Sequence, residues 1–510
     1  MNKVFIGGGQ LTLDEFIQVT RGGAQVELTE DAVKKIRISR QIVDDIVAEE
    51  KAVYGITTGF GNFSDVKISR EQCKSLQTNL LMSHACGVGN YLREDQVKGV
   101  MLLRANNLAN GYSGISENTL NTLIAMLNSG VVPAIPEKGS LGASGDLAPL
   151  AHMALPMLGL GKAFYEGELL SGAEAMKRAG VKTITMVEKE GLAITNGTQV
   201  MTSVGAHAVY DAIRVAKMAD IATALTSEAL NGITDAYDPQ VHLVRGHAGQ
   251  IVTAENLLTL LDGSEMTTRQ GEIRTQDAYS LRCIPQIHGA SKDCFNYVKS
   301  KVDIEMNATT DNPIIFPETR DVISGGNFHG QPMAITFDFL SIGISELANI
   351  SERRIERLVN PALSSGLPAF LVEDGGVNSG FMIVQYAAAA LVSENKVLAH
   401  PASVDSIPSS ANQEDHVSMG TIAARQADEI LGNVKKVIAM EMMTACQAID
   451  LRGKKKLGKG SEVAYNAIRE AITPYIVDRE MYVDINKAEE VIFDNDLLSK
   501  VEAAIGELKF

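Results

Sequence analysis

The stretch Gly139-Ser-Leu-Gly-Ala-Ser-Gly-Asp-Leu-Ala-Pro-Leu-Ala-His152 decides how this chain is interpreted. It contains the tripeptide Ala143-Ser144-Gly145, whose backbone can become an electrophile. If the Gly145 amide nitrogen attacks the Ala143 carbonyl carbon, a five-membered ring closes. Loss of two waters, one of them carrying the Ser144 hydroxyl, then leaves an exocyclic methylene on a conjugated imidazolone. Gly145 has no Cβ to block the attack. Ordinary side chains offer no strong carbon electrophile, so this ring would take the place of a bound cofactor.

The same stretch has a simpler interpretation as a glycine-rich turn that leads into a helix. Asp146 is a good N-cap residue, and Pro149 is tolerated in a first helical turn. A lone Ala-Ser-Gly would favour that interpretation. The chemical interpretation is preferred because of the segments that accompany the stretch along the chain.

Together with seven further segments, this stretch resembles the aromatic amino acid ammonia-lyases that carry the 4-methylidene-imidazol-5-one (MIO) group. The resemblance runs from about Tyr54 to the Asp478-Arg479 region. Eight segments in family order are a specific signal, whereas one alone would be weak. The seven are Tyr54–Gly61, Ser83–Gly89, Thr195–Gly197, Gln276–Arg282, Thr310–Pro313, Gly326–Gly330 and Ser410–Met419.

Helix signals dominate the chain and predict a mostly α fold. Thr29 can cap an amphipathic helix, and Gln96–Leu127 is mostly helical around a turn at 110–114. Thr198–Leu230 and His416–Leu451 predict long helices that are apolar on more than one face, as in the middle of a bundle. Short strands are expected at Val4–Ile6, Thr183–Val187 and Ile314–Phe316. We expect a large helical bundle with a smaller mixed N-terminal part, and the resemblance implies a fumarase/aspartase-like architecture. We divide the chain into an N-terminal part at residues 1–195, carrying the reactive loop, and a long-helix bundle at 196–510.

Composition excludes several classes of protein. The 510 residues include 46 basic and 62 acidic side chains, giving a net charge of −16 that opposes nucleic-acid and anionic-membrane binding. The longest near-apolar run, Phe381–Val392, is too short to span a bilayer. Five widely spaced cysteines without a Cys-x-x-Cys pair predict neither a disulfide framework nor a zinc site, and the histidines lack metal-ligand spacing. We therefore expect a cytoplasmic protein without a metal or an external cofactor.

The resemblance implies roles for individual residues. Tyr54, on a glycine-rich loop, would be the base for the β-proton, although Thr57 stands where many relatives have Asn. Asn196 would hold the imidazolone oxygen and Phe328 would pack on ring or substrate. Gln276, Tyr279 and Arg282 are spaced by three residues, so they would share one face of a helical turn, with Arg282 binding the substrate carboxylate. Whether the substrate amine or its imidazole attacks the methylene stays open.

Three residues indicate the substrate. Ser83-His84 and Glu414 resemble the histidine branch of the family, and Glu414 has no carboxylate counterpart in the tyrosine and phenylalanine branches. A buried imidazole needs hydrogen-bond partners, whereas a phenyl ring needs an apolar pocket. The expected reaction is elimination of ammonia from L-histidine to trans-urocanate, the first step of histidine degradation. Glu414 alone could equally be a helix N-terminal charge.

Three alternative functions are less consistent with the sequence. The fumarase and aspartase signature Gly-Ser-Ser-x-Met-Pro-x-Lys-x-Asn is absent, and phosphate loops end in Lys-Ser/Thr, unlike Gly139–Gly145. A non-catalytic helical scaffold would explain the composition but not the retained motif residues. The resemblance also implies a homotetramer in which the Arg282 segment serves the Ser144 of a neighbouring chain.

Overall fold

The structure, a computed structural model, describes residues 2–50, 53, 55–58, 68 and 70–510. Its described part is built mainly from helices. They are α1 (Leu13–Thr20), α2 (Glu30–Ala48), α3 (Arg70–His84), α4 (Glu94–Ala109), α5 (Glu117–Ser129), α6 (Leu147–Ala154), α7 (Gly172–Arg178), α8 (Glu190–Thr195), α9 (Gln199–Ala229), α10 (Pro239–Leu243), α11 (Ala248–Leu260), α12 (Tyr279–Arg282), α13 (Ile284–Glu305), α14 (Gln331–Val359), α15 (Met382–Leu398), α16 (Gly420–Leu451), α17 (Lys459–Ala471), α18 (Met481–Glu489) and α19 (Leu497–Ile505).

The strands of the described residues are short and form four small sheets. Strands β1 and β2 pair in parallel, β3 pairs with β5, β6 lies between β4 and β7, and β8 pairs with β9. They are β1 (Lys3–Ile6), β2 (Gln25–Leu28), β3 (Val88–Tyr91), β4 (Val132–Pro133), β5 (Pro136–Lys138), β6 (Lys162–Tyr165), β7 (Glu168–Ser171), β8 (Ile314–Phe316) and β9 (Asp321–Ile323). The mostly α prediction is therefore confirmed.

The strongest helix predictions are also confirmed. Thr29 is the N-cap of α2, and its hydroxyl accepts a hydrogen bond from the Ala32 amide. The predicted turn at 110–114 separates α4 from α5, and α9 covers the predicted helix at 198–230 almost completely. Within α9 and α16, long buried stretches of Ala, Ile, Val and Met explain why hydrophobicity on several faces predicted interior helices.

Two details of the prediction are wrong. Residues 183–187 form no strand, and the long helix expected from His416 begins at Gly420. The sequence analysis does not predict the hairpin β6–β7. Most of its residues are partly or fully exposed, so its sequence lacks the alternation of polar and apolar residues that indicates a half-buried strand.

The chain groups into two compact units, each assembled from three segments. The first unit contains residues 1–207, 299–338 and 401–425, and the second contains 208–298, 339–400 and 426–510. Four of the five unit boundaries fall inside α9, α13, α14 and α16, and the fifth, at residues 400 and 401, follows the end of α15. The division expected from the sequence, at residues 195 and 196, stays a prediction beside this grouping.

The first unit has α4 as a central helix. Thirteen of its sixteen residues are buried, including the charged side chain of Arg104. In the second unit, Arg354 and Glu441 are fully buried and joined by two hydrogen bonds of 2.5 and 2.8 Å. Charged groups survive in such interiors only when they are paired.

One described helix, α14, is long and apolar enough to cross a membrane by length and composition. Of its most apolar window, 67% is buried inside the protein, and core helices of globular proteins have the same property.

Candidate active site

The tripeptide 143–145 lies in a tight, strained turn of the first unit. Gly142, Ser144 and Gly145 have positive φ values of 84°, 51° and 78°, and Gly142 and Gly145 form an isolated antiparallel bridge. Ser144 bears a Cβ, so its left-handed conformation costs energy that the surrounding structure must supply. The turn therefore brings the backbone of the tripeptide close upon itself, as cyclisation requires.

Gly197 holds this turn from the other side. The Gly197 amide donates to the Ser144 carbonyl at 3.3 Å, and the Asp146 amide donates to the Gly197 carbonyl at 2.7 Å. A Cβ added to Gly145 would lie 2.1 Å from the Gly197 carbonyl oxygen. Only glycine fits at position 145, because the two backbone segments are in direct contact.

Asp146 has a different role from the one expected. It precedes α6, but its side chain makes no capping hydrogen bond to that helix. Its Oδ2 instead accepts from the Val200 and Met201 amides, both at 2.9 Å, at the start of α9. Its Oδ1 accepts from the hydroxyls of Ser140 and Thr421.

Burial raises the pKa of the Asp146 carboxyl, while these four donors oppose the rise. Asp146 thus anchors the reactive turn to the N-terminus of a 31-residue helix. The expected capping of the following helix is wrong for its side chain.

Glu414 lies beside Ser144. The Ser144 hydroxyl donates to Glu414 Oε1 at 3.3 Å, although 270 residues separate the two. The other carboxylate oxygen accepts from the Ser409 hydroxyl at 3.1 Å, and the backbones of Ser409 and Glu414 also pair. A half-buried carboxylate therefore reaches the reactive serine, as general acid–base chemistry requires.

His84 is electrostatically coupled to Glu414. Burial lowers the pKa of the His84 imidazole, and the hydrogen bond to Leu80 and the charge of Glu414 partly offset this. The Ser83 hydroxyl donates its one hydrogen to the Leu80 carbonyl at 3.1 Å and lies 3.0 Å from His84 Nδ1. We assign the proton to Nδ1 on this geometry, which makes Nε2 a hydrogen-bond acceptor.

Asn196 lies at the C-terminus of α8, not at the N-cap of the next helix. It is 2% exposed, and its Nδ2 donates to the Asn312 carbonyl at 3.1 Å and to Asp311 at 3.5 Å. Its Oδ1 is buried without a hydrogen-bond partner. Holding an imidazolone oxygen would require the Nδ2 donor, so that role stays a prediction.

The predicted carboxylate-binding segment belongs to the second unit. Helix α12 begins at Tyr279, so Gln276 lies outside it and the expected shared face of three residues is wrong for Gln276. The Arg282 guanidinium stacks on the Tyr279 ring at 4.6 Å and donates from Nε to the Asp277 carbonyl at 2.8 Å. Tyr279 is 69% exposed, which leaves this pair accessible at the surface of the chain.

The remaining predicted residues are described unevenly. Tyr54 lies outside the described residues, while neighbouring Thr57 accepts a hydrogen bond from the Val53 amide at 2.9 Å. Phe328 is half-buried in a turn where His329 Nε2 lies 3.2 Å from the His416 carbonyl.

Sequence reasoning missed the pairing of His329 with His416, whose rings are 5.7 Å apart. The only sequence signal for this pair is the position of both residues inside segments that carry the resemblance.

The residues present fit an MIO group at 143–145. The turn accepts only glycine at 145, and Ser144 has a carboxylate within hydrogen-bonding distance. Among the described residues, no group of three or more His, Cys, Asp or Glu side chains could hold a metal ion.

Comparison with known proteins gives consistent results. A family model described as aromatic amino acid lyase matches residues 11–470. The chain is 63% identical to a histidine ammonia-lyase of Alkaliphilus oremlandii over 505 residues, covering 99% of each chain. It is similar to the crystal structure of histidine ammonia-lyase from Trypanosoma cruzi, with a TM-score of 0.91, 42% identity and coverage of 99% and 96% of the two chains.

A tyrosine aminomutase from Streptomyces globisporus is similar at a TM-score of 0.95, 37% identity and 99% coverage of both chains. Backbone similarity is therefore shared by proteins named for different substrates. The choice of substrate has to be argued from side chains in the site.

Proposed function

The chain belongs to the aromatic amino acid lyase family, and we propose from that premise that it eliminates ammonia from L-histidine to give trans-urocanate. It is a carbon–nitrogen lyase of the histidine ammonia-lyase class, which acts in histidine degradation. The observation that carries the proposal is the hydrogen bond of 3.3 Å between the Ser144 hydroxyl and the Glu414 carboxylate.

We assign recognition of the imidazole to Glu414 and His84. A carboxylate can accept the imidazole N–H of histidine, and neutral His84 offers an acceptor at Nε2. Neither group would find a partner in the phenyl ring of phenylalanine, so that substrate would leave both unpaired. Leaving buried polar groups unpaired typically costs about 1–3 kcal/mol each, enough for at least about hundredfold selectivity.

We also propose that Ala143, Ser144 and Gly145 form the MIO electrophile of this enzyme. When present, that group supplies an electron-poor methylene that makes the substrate amine leave more easily, whether amine or imidazole attacks it. Loss of the Ser144 hydroxyl as water would need a proton delivered to its oxygen, and Glu414 is placed to take part in that transfer because its carboxyl group is hydrogen-bonded to this hydroxyl. Asn196 and Gly197 would hold the tripeptide in position.

Binding and proton removal are assigned to the other predicted residues. Arg282 would bind the substrate carboxylate, with Tyr279 stacked against it and Gln276 nearby in sequence. Tyr54 would remove the β-proton, and Phe328 would cover the substrate. Closing the site excludes water, which strengthens each of these polar contacts.

We propose that the enzyme is a cytoplasmic homotetramer in which sites are shared between chains. The second unit exposes several large apolar side chains, as subunit-contacting surfaces do. They include Tyr297, Phe339, Ile342, Ile383, Tyr386 and Val397. Two inactive variants, Ser144→Ala and Arg282→Ala, should regain partial activity when their subunits are mixed and reassembled; full activity of a dilute monomer would exclude this assembly.

The test of substrate is a set of ultraviolet assays on the purified protein. Histidine, tyrosine and phenylalanine are supplied separately, and urocanate, coumarate and cinnamate are followed. Urocanate should form at least about a hundredfold faster at equal substrate. Faster coumarate or cinnamate formation, or conversion of tyrosine to its β-isomer, would overturn the assignment.

The test of the electrophile is the intact mass. The purified chain should weigh two waters less than its sequence, and Ser144→Ala should keep the full sequence mass and lose nearly all activity while retaining its fold. Ser144→Cys can still cyclise, since sulfide can leave. Normal turnover by Ser144→Ala would exclude the electrophile.

A further inference from the structure

Arg104 is a buried cation of the first unit that contacts the backbone next to Gly197, which in turn holds the turn at 143–145. It lies in α4 and is completely inaccessible to solvent. Its Nη1 donates to the Asn196 backbone carbonyl at 2.7 Å, and its Nη2 donates to Asn107 Oδ1 at 2.5 Å. Burying a charged group costs desolvation free energy, which its hydrogen bonds and nearby charges must offset.

The carbonyl that Arg104 holds belongs to the segment that contacts the tripeptide. One residue further on, Gly197 forms a bridge with Gly145, donates to the Ser144 carbonyl and accepts from the Asp146 amide. The Asn196 carbonyl that Arg104 binds and the Gly197 N–H that donates to Ser144 belong to one peptide unit, and the Gly197 carbonyl that accepts from Asp146 belongs to the next.

The guanidinium also lies close to the Gly197 backbone. Gly197 has a φ of 150°, and a Cβ on it would lie 3.1 Å from Arg104 Nη2, 2.6 Å from Thr310 Oγ1 and 2.5 Å from Gln199 Oε1. Asn107, the second acceptor of the guanidinium, in turn donates to the Ala308 carbonyl at 2.8 Å. Arg104 therefore connects the Asn196–Gly197 backbone, through Asn107, to the segment at 308–310.

Nearby charges compensate the buried cation. Burial lowers the pKa of Arg104 to about 10, and the carboxylates of Asp311 and Asp146 oppose the change. Arg104 consequently stays protonated at neutral pH. A lysine would keep the charge but would lack the planar fork that reaches two acceptors at once.

We propose that Arg104 is a positioning residue that holds the Asn196–Gly197 backbone against Ser144 and Gly145, in the geometry in which the tripeptide cyclises. The inference rests on the proposed electrophile. It assigns no contact between Arg104 and the substrate. Its consequence is kinetic: without Arg104 the chain still folds, but the tripeptide matures slowly.

The test follows maturation directly, without using catalytic activity. The full chain is made by cell-free synthesis and sampled over time, and intact mass spectrometry gives the fraction that has lost two waters. Arg104→Met should slow this loss about a hundredfold, the effect of a misplacement of about 1 Å on a reacting pair. Arg104→Lys, which keeps the charge and a single contact, should fall between Arg104→Met and the unmutated chain.

Arg354→Met is the matched control. Arg354 is likewise fully buried and bonded to Glu441, but in the second unit. It should lower the thermal midpoint at least as much as Arg104→Met and should still lose two waters at the unmutated rate. Circular dichroism and gel filtration establish that each variant is folded.

Each outcome decides the matter. Slow maturation in the Arg104 variants alone supports the proposal, whereas normal maturation in Arg104→Met, or equal slowing in Arg354→Met, overturns it. If Arg104→Met does not fold, the comparison of Arg104→Lys with Arg354→Met decides in the same way. If the unmutated chain never loses two waters, the proposed electrophile is wrong, and the role of Arg104 falls with it.

Discussion

Replacing Glu414 with glutamine separates proton transfer from simple hydrogen bonding. The amide has nearly the same shape as the carboxylate, and its oxygen can still accept from the Ser409 hydroxyl, which lies 3.1 Å from Glu414 Oε2. The negative charge and the basicity facing Ser144 are lost. The backbone pairing of Ser409 with Glu414 does not depend on the side chain, so the segment should keep its conformation.

The size of the effect decides between the two roles. Replacing a charge-assisted hydrogen bond to the substrate imidazole by a neutral one costs about 1–1.5 kcal/mol, or up to about tenfold in rate. Loss of a group that moves a proton costs about 10²–10⁴-fold, or roughly 2.7–5.4 kcal/mol. Because Glu414 reaches the reactive serine, we expect the larger loss, expressed in kcat more than in KM.

Urocanate formation measured over a range of histidine concentrations gives kcat and KM for each variant. The matched control is Asp415→Asn, which removes one negative charge from the adjacent, exposed residue and should leave both constants nearly unchanged. The intact mass must show that Glu414→Gln has matured. A mature Glu414→Gln with a kcat within about tenfold of the unmutated enzyme would refute a proton-transfer role.

Three further outcomes are expected. His84→Leu should weaken histidine turnover and admit tyrosine, and unchanged urocanate and coumarate rates would contradict the assigned role of His84. Burial lowers the pKa of His288 despite its contact with Asp220. As pH falls below about 6.5, the His288 imidazole therefore takes up a proton in the unfolded chain before it does so in the folded one, and the folded state loses stability. The urea midpoint should fall less between about pH 7.5 and 5.5 in His288→Asn than in the unmutated chain. An equal fall in both proteins would exclude this linkage. Iodoacetamide should label exposed Cys86 in the native protein but spare Cys446, because burial raises the pKa of its thiol to about 12; peptide mass mapping with equal labelling of both would contradict the structure.

The long helices could be predicted from the sequence because their signals are local. Thr29 caps α2 through the amide three residues away, and the apolar residues of α9 repeat along one continuous segment. Short strands at exposed edges lack such a signal. The hairpin β6–β7 was missed for this reason, and the apolar residues at 183–187 wrongly suggested a strand.

The site residues could be named from the sequence, but their partners could not. Ser144 and Glu414 were both chosen, yet their contact spans 270 residues and no local pattern indicates it. The sequence predicts Asp146 as the N-cap of the helix that follows it. Its side chain instead accepts hydrogen bonds from the Val200 and Met201 amides at the start of α9. The sequence gives one indication of the role of Arg104, because it is a charged residue in a helix whose other residues are mostly buried. A buried charge has to be paired or hydrogen-bonded.

The distribution of these partners explains why motif residues alone do not guarantee a working site. The tripeptide carries the chemistry, but its shape is enforced by Gly197, which contacts Gly145, and by two buried charges, Asp146 and Arg104. Each charge costs free energy to bury, and losing any of its hydrogen bonds destabilises the folded site. A variant that retained the stretch 139–152 but lost Arg104 would still match the motif. Under the proposed role of Arg104, this variant would fold, but its tripeptide 143–145 would form the MIO group slowly. Catalytic activity therefore depends on contacts made across the first unit.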